Sequence, residues 1–333
     1  MDQQVLKTYQ QSADRAVEWL VAQLKNDGAF HLPVDDLACY YKIPYLFSVS
    51  GKIQEANRVL SYIQRTFGRE NGDFATSRDL KSENDAFVEY WSYMNGWIAL
   101  AAQKMGRFDV AYPAYDYLQS FYHPRHGGFT TLKPYGQNDN TVDVLTTAHL
   151  GLVALYLGDL RKAKTAGHLI QSILFLQPNK HEGFYLRLKD DGELITDFSN
   201  DASMFFLVSA TQPNQAYFML GYPIAFLGKL YAATNDSQYV DTAKEYLEFL
   251  LACQGNLRTF HYSHKVAWGA AMTARITKDS RYIELARSIA EYLVQTQSQD
   301  GRWLQDEPAY TFFDQTAEIA IWMREMSSEF SGV

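Results

Sequence analysis

The sequence predicts an all-α protein, an (α/α)6 barrel of six helical hairpins with a small β-hairpin and lid insertion near residues 184–215. Three observations predict it. Apolar residues recur at helical spacing along the whole chain of 333 residues. The helices they define alternate between amphipathic and almost wholly apolar. The amphipathic ones repeatedly close on a glycine turn that ends in an aromatic, as in Asp27-Gly28-Ala29-Phe30. A helix that is apolar nearly all round must be buried on all sides, whereas an amphipathic one keeps a face in water. Six such pairs, repeating at roughly 45–75 residues, are a repeat architecture. Apolar helices would form an inner ring and amphipathic helices an outer one, and closing the ring buries the ends that an open array has to cap. On this reading residues 1–333 are one domain without a linker.

The elements follow in order. Gln4 to Asn26 is amphipathic and ends at Gly28, which suits a helix C-terminal cap. The stretch HLPVDDLACYYKIPYLFSVSG predicts an apolar helix capped by Asp35 or Asp36 and closing at Gly51. Ile53 to Phe67 is amphipathic, Phe87 to Met105 apolar, and Phe108 to Phe121 amphipathic again. Val142 to Leu157 is apolar and Leu160 to Leu176 amphipathic. FYLRLKDDGELITDF alternates apolar and polar around Asp191-Gly192, a hairpin signal. The helical pattern resumes with Ala216 to Tyr231, Tyr239 to Cys253, His264 to Ile276, Tyr282 to Thr296 and Phe312 to Met326.

A formal net charge of −8, with no cluster of Lys and Arg beyond the helix-face group Arg161, Lys162 and Lys164, argues against a nucleic-acid partner. No run of about 18 apolar residues predicts a membrane span. The polar start MDQQVLKTYQQSADR lacks the apolar core of a signal peptide, and two cysteines make no disulfide framework, so a cytoplasmic location is expected. The 23 Tyr and 20 Phe suit both a large core and an aromatic-lined cavity.

Near the end of the chain, Tyr292-Leu293-Val294 leads to Gln297, Gly301 and Trp303. This resembles the Q-x-x-x-G-x-W repeats of the terpenoid-cyclase and protein-prenyltransferase superfamily. Trp19-Leu20-Val21, leading to Gln23, Gly28 and Phe30, is a looser copy, and Tyr246, Leu247, Leu250 and Gln254 begin a third. Val34-Asp35-Asp36-Leu37-Ala38 resembles the D-x-D-D-T-A acid motif of class II terpene cyclases, with Pro33 and Leu37 departing from it. The resemblance implies an (α/α)6 toroid, with Asp35 in the place of the proton donor and the Gln, Gly and Trp bracing neighbouring helices. The zinc ligands of prenyltransferases and lanthionine cyclases have no counterpart here. Carbohydrate-active (α/α)6 barrels, such as unsaturated uronyl hydrolases and acylglucosamine epimerases, and linalool dehydratase-isomerase share the build.

In such a barrel the inner helices start around one mouth, where N–H groups and positive helix ends concentrate. The residues there are the site candidates. Asp35 and Asp36 open the first inner helix, with Tyr40 and Tyr41 one turn in. Glu89 sits in an apolar stretch with Tyr90, Trp91 and Tyr93, and burial obliges it to have a partner, a raised pKa or a wet cavity. Asp143 reads as a helix cap and His149 as a core histidine or a substrate contact. His261 and His264 precede Trp268, and proton transfer suits them better than metal. Asp314 and Glu318 open the last inner helix on one face, Asp314 as a cap. Catalytic roles fall to Asp35, Asp36, Glu89, His264 and Glu318. Substrate contacts fall to Tyr40, Tyr41, Tyr90, Trp91, Tyr93, His149, His261, Trp268 and Asp314.

No phosphate loop, nucleophile elbow or Cys-x-x-Cys occurs, so chemistry without metal or other cofactor is expected. The leading expectation is a cyclase, isomerase or dehydratase acting on an apolar small molecule. The first alternative is a glycoside hydrolase or sugar epimerase, the second a non-catalytic ligand-binding toroid. Oligomeric state is not legible.

Overall fold

The computed structural model describes residues 3–331. The chain divides into two compact units. A terminal unit combines the residues up to Ser120 with Thr296–Arg324, and a central unit combines Phe121–Gln295 with the segment from Glu325.

In the terminal unit, α1 (Gln3–Ala22) buries Tyr9, Ala13, Ala16, Val17 and Leu20, a stripe at spacings of three and four. The expected second helix is broken. A short 3-10 turn (Leu37–Cys39) and the turn Tyr40–Lys42 precede α2 (Ile43–Val49). Pro44 explains the start, because it has no N–H to donate and its ring excludes a preceding helical turn. The amphipathic α3 (Ile53–Phe67) ends where the periodicity predicts. The helix expected over 87–105 is also broken, into α4 (Ala86–Glu89) and α5 (Tyr93–Lys104). Trp91 lies in the gap, with its indole Nε1 donating to Asp73 Oδ2 at 3.1 Å. Then comes α6 (Phe108–Gln119). α2 packs against α3 and α5, and α5 against α6.

The central unit starts its regular structure with β1 (Val142–Asp143) and α7 (Val144–Tyr156), buried from Val144 to Ala154 without interruption. After α8 (Leu160–Phe175) come β2 (Gly183–Tyr185), β3 (Arg187–Leu188) and β4 (Leu207–Ser209). The helices α9 (Phe218–Thr234), α10 (Ser237–Ala252), α11 (His264–Thr277) and α12 (Ser280–Gln295) follow. The apolar α7, α9 and α11 pack in succession, each carrying one amphipathic partner, α8, α10 or α12. The last helix, α13 (Ala309–Phe330), begins in the terminal unit, and its final turns from Glu325 belong to the central one.

The hairpin expected over 184–198 forms, with Leu188 and Leu194 bridged antiparallel across it and the Ile195 N–H donating to the Arg187 carbonyl at 3.0 Å. Its tight turn forms, with Gly192 at φ 95° and the Lys189 N–H donating to the Glu193 carbonyl at 2.9 Å. The strands also pair outside it: β3 lies antiparallel to β1, with Asp143 opposite Arg187, and β2 lies antiparallel to β4. Strands this short do not stand alone, so each finds a partner outside its own hairpin.

The turns after the amphipathic helices lock onto neighbouring backbone. Gly28 has φ 96°, and a Cβ there would meet the Arg58 carbonyl oxygen of α3 at 2.2 Å. Gly301 repeats this at φ 98° against Arg15 of α1, at 2.6 Å. Only glycine allows both the dihedral and the approach. Gln297 completes the second brace, accepting from Ser12 Oγ at 2.8 Å and donating to the Ser12 carbonyl at 2.9 Å.

Candidate active site

The terminal unit holds a buried ion network around Lys42. Lys42, in the turn before α2, is 2% exposed. Its Nζ lies 2.6 Å from Glu318 Oε2 and 2.7 Å from Asp314 Oδ1. The other Glu318 oxygen accepts from the Tyr93 hydroxyl at 3.2 Å and from Trp322 Nε1 at 3.3 Å. Gln315 Nε2 donates to Asp314 Oδ2 at 2.8 Å. The ammonium also lies 4.9, 5.7 and 5.9 Å from the ring centres of Tyr41, Tyr93 and Trp97. Burial, then the nearby Asp314, Tyr93 and Glu318, pushes the Tyr41 hydroxyl well above its ordinary pKa. So the burial problem posed by Glu318 is met by an ammonium. The capping role expected of Asp314 is corrected: α13 begins at Ala309, and Asp314 sits in its second turn facing Lys42.

The other carboxylates of this unit lie in separate bonds. Asp36 is the expected cap, accepting from the Ala38 N–H at 2.7 Å, and it also accepts from Ser82 Oγ at 2.8 Å and the Glu83 N–H at 2.7 Å. Asp35 is half-buried and accepts from the hydroxyls of Tyr40 and Tyr62. Tyr40 in turn accepts from the Phe30 N–H at 3.1 Å. Glu89 is corrected: it is the half-buried last residue of the one-turn α4, not a residue inside a long apolar helix. Tyr90 is buried in the gap that follows. Trp91 belongs to a different cluster, where the fully buried Lys81 Nζ lies 2.8 Å from Asp73 and Asn95 Nδ2 donates to the same carboxylate at 3.0 Å.

The central unit places two histidines on its apolar helices, His149 on α7 and His264 on α11. Asp143 caps α7, accepting from the Thr146 N–H. Two turns on, the buried His149 Nδ1 is 2.7 Å from the Tyr222 hydroxyl of α9. The Tyr222 ring meets Trp268 of α11 edge to face at 5.8 Å. One turn before Trp268, His264 opens α11 and is 1% exposed. Its Nδ1 lies 2.5 Å from the His261 carbonyl oxygen. A carbonyl can only accept, so Nδ1 carries the proton and Nε2 presents a lone pair. The Nζ of the buried Lys265 lies 3.4 Å from that Nε2 and 4.6 Å from the ring centre of Phe218. Burial, and secondarily His264, lowers the His261 pKa to about 4.

Lys42, Tyr222 and Lys265 escaped the sequence reading. The signal for the two lysines is the one that singled out Glu89, a lone charge inside an apolar run, in YYKIPYLF and in HKVAWGAA. Among the described residues no group of three or more His, Cys, Asp and Glu is arranged to hold a metal ion. Nor is any helix long and apolar enough to cross a membrane. Two surface depressions, about 480 Å³ by Arg58 and Arg65 and about 410 Å³ by Asp139 and Asp190, touch none of the candidate residues.

No protein-family model matches the sequence. No curated protein matches it by sequence either. Solved structures do match. A D-mannose isomerase superposes with a TM-score of 0.73 at 14% identity, covering 98% of this chain and 97% of that one. A type II terpene cyclase from Scytonema, in complex with merosterolic acid A, gives 0.61 at 12% identity over 99% and 100% of the two chains. The GH76A α-1,6-mannanase of Salegentibacter gives 0.63 at 13% identity over 97% and 99%. These likenesses show the fold, the (α/α)6 toroid, and all three of these proteins are enzymes. At such identities nothing about substrate follows from them.

Proposed function

We propose that the protein is a cofactor-independent isomerase or epimerase of a small sugar, acting by proton transfer at the carbon beside a carbonyl. One observation carries the reading. His264 is a buried imidazole whose bond to the His261 carbonyl leaves Nε2 as a base, beside the buried ammonium of Lys265. Imidazole is the side chain best matched to proton transfer near neutral pH. His149, held by Tyr222, is the natural second acid or base. The likeness to a D-mannose isomerase supports the same reading.

The cyclase reading keeps one observation, the aromatic wall of Tyr41, Phe87, Tyr93 and Trp97. Lys42 already places its positive charge against three of those rings, which disfavours a second cation there. A hydrolase needs a separate acid and base, and Lys42 instead joins Asp314 and Glu318 into one network.

The test is deuterium exchange. Aldohexoses and ketohexoses are incubated with the purified protein in D2O and followed by proton NMR. The expected result is loss of the signal beside the carbonyl and growth of the partner sugar. His264→Gln should lower that rate about 10²–10⁴-fold with its circular dichroism unchanged. No exchange with any sugar, together with turnover of a polyprenyl substrate, would transfer the reading to a cyclase.

A further inference from the structure

We propose that the loop after α6 carries an acid-released latch, in which His123, Arg125 and His126 grip Asp190 at the tip of the 184–198 hairpin and protonation of His123 lets the tip go. All four residues belong to the central unit. The His123 side chain is fully buried, and its Nε2 lies 2.8 Å from Asp190 Oδ1. Arg125 reaches the other carboxylate oxygen at 2.8 Å and donates to the Asp190 carbonyl at 2.7 Å. His126 Nε2 lies 2.8 Å from the same carbonyl oxygen. The hairpin held in this way runs along the entry to α7. Leu188 pairs with Val142 and Arg187 with Asp143, and the Val144 N–H donates to the Leu186 carbonyl at 3.2 Å. The latch does not depend on the proton-transfer reading, although α7 is the helix that carries His149.

The two histidines differ in what a further proton does. The His126 backbone N–H donates to His123 Nδ1 at 3.2 Å, so that nitrogen holds a lone pair and the ring's one proton sits on Nε2, donated to Asp190. A second proton can go only onto Nδ1, where it meets the His126 N–H, donor against donor. His126 Nε2 donates to a carbonyl, and it does so with or without a proton on its Nδ1. His123 is therefore the sensor and His126 a fixed strut. Asp190 faces His123 from the hairpin, Arg125 and His126 from its own loop, and the Tyr135 ring meets it edge to face at 4.8 Å. Further out, Asp139, Lys189 and Asp191 line the depression beside Asp190. Burial is the largest influence on the His123 pKa and lowers it. Asp190 raises it, His126 and Arg125 lower it, and the net shift is downward from 6.5. In the released form the ring meets water and returns to its ordinary value. The latch is thus at full strength above pH 6.5 and weakens as the pH falls below it.

The experiment is hydrogen exchange of the full-length protein without substrate, read by mass spectrometry on the peptide that spans the hairpin and corrected for the pH dependence of free amides. The Lys189, Gly192 and Ile195 N–H groups close the hairpin. Their protection in the wild type should fall about three- to tenfold between pH 7.5 and pH 5. His123→Gln keeps a donor for Asp190 but does not titrate, and most of the fall should vanish. His126→Gln should keep the fall. Asp190, whose side chain is 43% exposed, offers a substitution that spares the buried ring. Asp190→Asn removes the charge that favours an imidazolium, so the fall should deepen by about twofold or more. Equal protection at the two pH values in the wild type overturns the acid release, and so does a fall that survives in His123→Gln. If His123→Gln does not fold, Asp190→Asn decides, and a fall that stays the same or shrinks there overturns the role of His123.

Discussion

The Lys42 cluster of the terminal unit and the His264 cluster of the central unit both put a buried lysine at the start of an apolar helix, and they treat its charge differently. Lys42 is held by two carboxylates, and the second Glu318 oxygen is held by Tyr93 and Trp322. Such a network is fixed electrostatics, and moving a proton within it breaks bonds on every side. The contacts of Lys265 include the lone pair of an imidazole and the face of Phe218. On the proposed function, the difference separates a group that positions from a group that reacts, although both are buried.

Lys42→Met is the largest single way to break this contrast. It leaves Asp314 and Glu318 buried without their cation, and losing one partner of a buried ion pair costs about 3–5 kcal/mol. Urea unfolding should show that loss. Adding Asp314→Asn and Glu318→Gln should return most of it, because the uncompensated charges are then gone. A loss below about 1 kcal/mol in the single variant would mean that the network is solvated, and the contrast with His264 would disappear. A smaller effect sharpens the central side. Asp143→Ala removes the cap of α7, the helix that carries His149, and should cost about 1 kcal/mol. The Tyr222 hydroxyl still holds the imidazole in that variant. Its rate of sugar exchange should stay within about threefold of wild type. A collapse in rate without a matching loss of stability would make Asp143 part of the reaction.

The helices were legible because periodicity is a local property. The residues that bury one face of α3, Ala56, Val59, Leu60, Ile63 and Phe67, lie three and four apart in the sequence itself. The breaks at Tyr40–Lys42 and Tyr90–Ser92 were not legible. Each rests on a contact from another stretch of chain, Asp314 and Glu318 for Lys42, and Asp73 for Trp91. Pro44 alone marked the first break. The strand pairings escaped for the same reason, since Val142 and Leu188 share no local signal. At the candidate site, reading for carboxylates and histidines found Asp314 and Glu318 without Lys42, and His264 without Lys265. The lysines were passed over because Lys is usually exposed, yet a lysine amid apolar residues raises the same desolvation cost as a glutamate there.

The smallest expected effect concerns His261, which stands beside His264 and has no counterpart in the Lys42 cluster. Burial and the neighbouring imidazole lower its pKa from 6.5 to about 4 in the folded protein. Above pH 6.5 it is neutral in both folded and unfolded chains, and its contribution to stability does not vary. Between pH 6.5 and about 4 the unfolded chain binds a proton that the folded one refuses, so stability falls as the pH is lowered through this window. Burial also lowers the pKa of His123, and it adds a slope of the same sign. Relative to its own urea midpoint at pH 8, His261→Gln should therefore lose less stability at pH 5 than wild type does. Parallel curves for the two proteins across the window would show that the imidazole is hydrated in the folded state. The start of α11 would then be open to water.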